Sequence, residues 1–340
     1  MKSIFEGNEH WQKDWRLVQR VLTPFDRAGA DGCLFKREDA YAPLGIHGVN
    51  GSKVRMGVWW LDHMLRLRPQ IRQLVFAGSV KSPLQVRVAA LAAHFSLQSV
   101  HIIGATAPEK ARRHEIIRSI EWLGGTLDCE CRVAYNNALQ KRARALAEPD
   151  DRVQVPYGLW LNRDHLGDNL ETFYQLSALQ LGNWPGGIRR LILPAGTFTT
   201  ALAVFWGVVQ NIKFGNINGL KHVEFPVIGP DHTTWFWESL ADLLKLTSPA
   251  AAMSLVADLG LNVNFWHDKR MSDWNDMAKN VSIGDHDFHP SYEAKIVRWI
   301  RQENLPWLEE QDTCFWIIGA DARLQPMKEC EWRRVACAGL

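Results

Sequence analysis

The chain has 340 residues, 46% of them hydrophobic and 22% charged, with 39 Lys and Arg against 37 Asp and Glu. That length suits two domains or one large α/β unit with a sizeable core, while a net charge of +2 creates no global field to recruit nucleic acid or an anionic membrane, leaving only local basic patches. The longest apolar runs, such as residues 191–193 and 201–209, fall far short of the roughly 20 residues of a membrane span, and the polar start MKSIFEGNEHWQKDW has no signal-peptide core, which points to a cytoplasmic protein.

Six cysteines, at 33, 129, 131, 314, 330 and 337, show no CxxC spacing, so reduced thiols are expected and no metal site. Sixteen tryptophans, several beside Arg or Lys (Trp11, Trp15, Trp299, Trp332), are read as core residues ahead of a stacking surface for bases.

A strand at residues 74–77 is followed by a helix at about 82–95, where Ser82 can cap, Pro83 suits the first position, and Leu84, Val88, Leu91, Ala92 and Phe95 recur at helical spacing. A strand at 100–103, a helix at about 108–123 stopped by Gly124 and Gly125, a strand at 126–133 carrying Cys129 and Cys131, a helix at about 138–146 and a strand at 153–155 complete a β/α series. Such a series implies a parallel sheet with right-handed crossovers. The alternation resumes with a helix at 170–181, a strand at 191–193, a loop Pro194-Ala195-Gly196-Thr197-Phe198-Thr199-Thr200 able to cradle phosphate, and another helix. Later strands are expected at 224–228 and 314–318 and helices near 234–244 and 292–301; residues 266–289, rich in Asp, His, Asn and Lys, read as an irregular region that could line a site.

The segment Leu34-Phe35-Lys36-Arg37-Glu38-Asp39, followed by Asn50-Gly51-Ser52-Lys53-Val54-Arg55, resembles the K-R-E-D and G-G-N-K-x-R elements of the aminocyclopropane-carboxylate deaminase and D-cysteine desulfhydrase branch of fold-type II, tryptophan-synthase-β-like pyridoxal-phosphate (PLP) enzymes. Further matches follow in the same order: Leu22-Thr23-Pro24-Phe25 with T-P-L; residues 77–85 with the G-G-x-Q-S-N helix start; residues 196–200 with the phosphate loop G-S-G-G-T; His289-Pro290-Ser291-Tyr292-Glu293-Ala294-Lys295 with D-P-V-Y-E-G-K; and residues 315–320 with a late strand ending in Gly-Gly, Ala320 replacing the second Gly.

The resemblance implies an α/β fold of two domains, each a mostly parallel twisted sheet flanked by helices: a larger PLP-binding domain of residues 1–55 and 160–340 and a smaller α/β domain of 56–159, with cofactor and substrate in the cleft between them. It implies Lys53 as the Schiff-base lysine, the phosphate on Gly196, Thr197, Phe198, Thr199 and Thr200, Glu293 against the pyridine nitrogen, Tyr292 as an acid, base or nucleophile near the substrate, and Ser82 as a group that binds the substrate or shuttles a proton. A lysine attacks an aldehyde only when neutral, so Lys53 is expected to be buried with a depressed pKa. Departures accompany the matches: Ser52 replaces an Asn, Pro83 replaces the Asn that bonds the cofactor's O3′, Phe198 replaces a glycine, and no G-P-G-Y segment supplies the deaminase's second Tyr, so cyclopropane ring opening is not expected.

The expected function is PLP-dependent carbanion chemistry at Cα of an amino acid, by deamination or elimination, isomerisation or decarboxylation. A second reading applies the same chemistry to an amino acid attached to a nucleotide or DNA base, motivated by the altered pocket motifs, the tryptophans and basic stretches such as Arg66-Leu67-Arg68 and Arg333-Arg334. A third is a catalytically degenerate PLP-fold binding protein. A homodimer is the expected assembly.

Overall fold

A computed structural model describes residues 21–28, 32–44, 46–104, 108–131, 136–273, 276–283 and 286–319 and the backbone of 325–326. Trp11, Trp15, Ala320, Cys330, Trp332, Arg333, Arg334 and Cys337 lie outside the described residues.

In chain order the elements are β1 (Phe25–Arg27), β2 (Leu34–Arg37), α1 (Ser52–Leu67), β3 (Gln73–Ala77), α2 (Pro83–His94), β4 (Gln98–Ile102), α3 (Glu115–Trp122), β5 (Thr126–Asp128), α4 (Asn136–Leu146), β6 (Arg152–Gln154), α5 (Leu170–Ala178), β7 (Arg190–Ile192), α6 (Thr199–Lys213), β8 (His222–Val227), α7 (Thr233–Leu243), α8 (Pro249–Asp258), β9 (Asn262–His267), α9 (Glu293–Gln302) and β10 (Thr313–Ile317), with short turns and hairpins between them. The described residues divide into two units, a smaller one of Ala42–Leu161 and a larger one joining residues 21–41 with residues 162–319. Residues 42–55, Lys53 among them, thus pack with the smaller unit, where the sequence grouped them with the larger. The physical reason is α1, which lies on α2 at Gly57: a methyl there would come within 2.7 Å of a Leu91 methyl.

In the smaller unit the sheet order is β5-β4-β3-β6, all parallel. Val75 and Ala77 of β3 and Ile102 of β4 bury against Leu139 and Ala143 of α4. The strand expected at 126–133 ends at Asp128, whose side-chain Oδ1 accepts the Glu130 N–H at 3.0 Å and turns the chain out of the ladder. Cys129 and Cys131 therefore lie beyond it. The helix expected at 108–123 divides, because His114 is extended and the chain restarts helically at Glu115.

The larger unit has order β1-β2-β10-β7-β8-β9, parallel from β2 to β9, with β1 antiparallel at one edge. The K-R-E-D segment holds this edge together. Lys36, buried, donates to the Thr23 carbonyl and to Asn183 Oδ1, both at 2.7 Å, and lies over the Phe25 ring at 4.4 Å. Thr23 Oγ1 donates to Glu38 Oε1 at 2.9 Å, and Arg37 pairs with Asp26 and Asp39. Of the twelve described tryptophans five are buried (Trp60, Trp206, Trp299, Trp307 and Trp316), six are half-buried and Trp122 is exposed. Among the described residues no helix is long and apolar enough to cross a membrane.

Helix α6, buried along Thr199–Val209, crosses α5 at Gly207, where a methyl would sit 2.6 Å from Ala178 Cβ and 3.0 Å from its Cα. Helix propensity favours Ala over Gly by about 1 kcal/mol, but overpacking against backbone costs about 1–3 kcal/mol. Gly207→Ala is therefore expected to lower the midpoint of denaturant unfolding; a stabilised variant would show that α5 and α6 have room to separate.

Candidate active site

Lys53 is the second residue of α1, which starts from Gly51 at φ +83°, a backbone angle that glycine adopts without the steric cost a side chain brings. Lys53 is half-buried, and its amine is pushed down to about 7 from an ordinary 10.5, first by desolvation and second by the positive charge of Arg87. Arg87, on α2, is itself 5% exposed and donates from Nε to the Asn50 carbonyl at 3.0 Å and from Nη2 to Asn50 Oδ1 at 3.4 Å. The turn that delivers Lys53 is thus gripped from the neighbouring helix.

Ser82 stands at the N-cap of α2, after the loop that leaves β3. Its backbone is extended as a cap requires, yet its hydroxyl makes no capping bond, contrary to the bond expected from the sequence. Gln85 anchors this loop by donating to the Gly78 carbonyl at 3.1 Å, and the buried His101 holds Gln85 Oε1 at 2.7 Å with its other ring nitrogen 3.0 Å from Ser99 Oγ. Burial pushes the His101 imidazole down to about 3, so it stays neutral and serves as a fixed strut.

In the larger unit the chain leaving β7 forms the loop at 194–198 and enters α6. Ala195 ties it to the end of β8, donating to the Pro226 carbonyl at 2.9 Å and accepting from the Ile228 N–H at 2.7 Å. Phe198, in place of a glycine, takes φ +60° and ψ −11°, the left-handed conformation a glycine would adopt. For a non-glycine residue this costs about 1–3 kcal/mol. Its ring is buried beside Phe236 and Phe265 at centroid distances of 5.8 and 5.9 Å, and burying a side chain of that size contributes about 1.5–3 kcal/mol. The two terms are comparable, so the aromatic cluster can hold a glycine-like backbone path without the glycine. The first N–H groups of α6 have no acceptor within the helix and its dipole favours an anion there, and Thr197, Thr199 and Thr200 set hydroxyls around the same turn.

Tyr292 and Glu293 begin α9 in this unit. The Glu293 carboxylate is fully buried and accepts the Ile318 N–H, just beyond β10, at 3.0 Å. A methyl placed on Gly196 would lie 3.8 Å from the Tyr292 ring, and the His289 ring centroid is 5.4 Å from that of Tyr292. The larger unit thus gathers Gly196, Tyr292 and Glu293, and the smaller one Lys53 and the Ser82 loop. Gly196 and the Ser82 loop each follow a strand at a topological switch point: β7 connects onward to β8 with β10 on its other side, and β3 onward to β4 with β6 on its other side. Ligands of open α/β sheets bind beyond the carboxyl ends of strands at such points.

Sequence reasoning passed over Arg87 and Asn50. The available signal was an arginine inside the otherwise apolar helix Leu84-Gln85-Val86-Arg87-Val88-Ala89-Ala90, since arginine is rarely buried without a purpose.

The fold is the fold-type II, tryptophan-synthase-β-like one, as the sequence resemblance implies. The chain aligns with the crystal structure of an ACC deaminase homologue at a TM-score of 0.61 and 15% identity, covering 94% of this chain and 95% of that one. It also aligns with diaminopropionate ammonia lyase from Escherichia coli at 0.56 and 12%, covering 97% and 92%, and with threonine deaminase isoform 2 from Solanum lycopersicum at 0.52 and 14%, covering 97% and 88%. No family model matches. In sequence the chain is 27% identical to the O-seryl-dTMP PLP-dependent decarboxylase of Salmonella phage ViI, over 86% of this chain and 79% of the phage protein.

The Lys53 amine gives this site a pH signature. Between pH 7 and 10.5 the unfolded chain holds a proton that the folded chain has released, so stability rises with pH across that window; below it both states hold the proton and the folded state carries the cost of a buried charge. That cost is about 4–5 kcal/mol for such a difference in pKa. In the cofactor-free protein Lys53→Met is expected to be more stable than wild type near neutral pH, with the gap narrowing as pH rises through this window. Denaturant unfolding across pH measures it, and a gap independent of pH would contradict the burial of a titrating amine.

Proposed function

We propose that this chain is a PLP-dependent decarboxylase acting on an amino acid carried by a nucleotide. The observation that carries the reading is the Lys53 amine, which desolvation and the Arg87 charge leave close to half deprotonated at neutral pH, as carbonyl capture by a lysine requires. The phage decarboxylase, with its O-seryl-dTMP substrate, supports the choice of reaction and substrate class.

The side chains fit the cofactor group by group. Lys53 would hold its aldehyde carbon, the start of α6 with Gly196, Thr197, Phe198, Thr199 and Thr200 its phosphate, and Glu293 its ring nitrogen. The buried Glu293 carboxylate is fixed by the Ile318 N–H and would keep that nitrogen protonated. When bound, PLP supplies an electron sink for the pair left at Cα. The bond from Cα to the carboxylate breaks, carbon dioxide leaves, and a proton returns to Cα. Lys53 Nζ, titrating near 7, can give that proton at neutral pH, with the Tyr292 phenol and the Ser82 hydroxyl as the alternative donors in this reading.

Two features favour decarboxylation and an anionic substrate. Pro83 at the first position of α2 has no N–H, so the helix start that follows Ser82 offers one donor fewer to a substrate carboxylate. A carboxylate held loosely loses less on leaving as a neutral gas. In addition, residues 42–161 contain 16 Lys and Arg against 9 Asp and Glu, while the rest of the chain has 23 against 28. This excess on one unit suits a substrate bearing phosphate. A degenerate binding protein would have no need of an amine held neutral. The same proposal places the enzyme in the cytoplasm as a homodimer.

The PLP-loaded full chain is to be incubated with O-seryl-dTMP and, separately, with L-serine, and products identified by mass. The expected outcome is a product that has lost carbon dioxide and kept its amine, formed at least about tenfold more efficiently from the nucleotide-linked substrate, since polar groups built for the nucleotide discriminate strongly. Release of ammonia would replace decarboxylation by deamination, and equal use of L-serine would remove the nucleotide from the proposal.

A further inference from the structure

Arg87 is not part of any segment that carries the family resemblance, and with Arg55 it is one of two buried arginines among the described residues of the smaller unit. It leaves α2 one turn after Ser82 and reaches across to α1, where its guanidinium holds both the backbone carbonyl and the side-chain oxygen of Asn50. Asn50 is 4% exposed and directly precedes Gly51, from which α1 starts at φ +83°. A planar fork on two oxygens of one residue fixes orientation as well as distance.

We propose that Arg87 is the positioning residue of Lys53: its fork sets the Asn50-Gly51 turn that aims the amine, and its permanent charge opposes a second positive charge on that amine. The proposal rests on the reading of Lys53 as the amine that captures PLP. Among the described residues the elements packed most closely on α1 are α2 and the turn at Tyr157–Leu159. Their titratable and charged groups are Arg87, His94 and Tyr157, and α1 itself carries Arg55, Asp62, His63 and Arg66. Of these only Arg87 contributes to lowering the Lys53 pKa, as the second cause after burial. Arginine stays charged at every accessible pH, so the effect does not switch off, and a lysine at position 87 would keep the charge while losing the fork.

The test is reductive methylation of the full chain with formaldehyde and cyanoborohydride across pH, without PLP, with modification at Lys53 read by peptide mass. Arg87→Met, which keeps much of the side-chain volume, is expected to raise the midpoint of Lys53 modification by about one pH unit, cutting the rate at pH 7 about fivefold. Arg87→Lys is expected to keep the wild-type midpoint, yet to retain PLP less well on dialysis because the turn is no longer forked. An unchanged midpoint in Arg87→Met, or an Arg87→Lys midpoint raised as far as that of Arg87→Met, overturns the proposal. Should Arg87→Met not fold, Arg87→Lys decides alone: a wild-type midpoint with weakened PLP retention supports the proposal and any other pair of results overturns it. A wild-type Lys53 that titrates like a surface lysine would instead sink the reading of Lys53 itself, so the two failures are distinct.

Discussion

A lysine amine removed from water is costly to charge, and that cost organises the smaller unit. Lys53 sits where desolvation and the Arg87 charge act in the same direction. The local structure serves this placement. Gly51 allows the backbone angle that begins α1, Gly57 lets α1 approach Leu91 of α2, and the Arg87 fork ties the turn to α2. The folded state gives up stability to hold such an amine, and an enzyme recovers use from that loss when the amine must be a nucleophile at neutral pH.

The larger unit handles negative charge by complementary means. The α6 start with its hydroxyl-bearing turn would receive the anion in the proposed site, and the buried Glu293 accepts the Ile318 backbone N–H. Phe198 is the unexpected part. The loop keeps a left-handed residue without glycine because the ring is anchored among Phe236 and Phe265. Thus Phe198 takes the left-handed backbone path that a glycine would take with less strain. Pro83 is a departure of another kind, since it removes a donor that no neighbour's packing can restore.

Much of this was legible in the residues. The strand and helix alternation around 74–102 and 191–227 stands out because buried parallel strands are short apolar runs and their helices carry 3.6-residue spacing. Lys53, Glu293 and the 196–200 loop stand out because their neighbours recur in order. Less visible was α1, whose sequence Ser52-Lys53-Val54-Arg55-Met56-Gly57-Val58-Trp59-Trp60 mixes charge, glycine and paired tryptophans, so no single apolar face declares itself. For the same reason the sequence does not reveal that residues 42–55 pack with the smaller unit. β9 was hidden within a polar stretch, because Asn262-Val263-Asn264-Phe265-Trp266-His267 forms the sheet edge and is only partly buried. Arg87 could not be read as a partner of Asn50, since a contact between residues 37 positions apart exists only after α1 and α2 pack.

The central claim is that Lys53 is the amine that takes the cofactor. Its most direct measurement is borohydride reduction of the PLP-loaded full chain followed by peptide mapping. The account predicts a reduced pyridoxyl group on Lys53 in stoichiometric amount, and none on the same peptide of Lys53→Ala. Recovery of the label on another lysine, or no covalent label at saturating PLP, would contradict it.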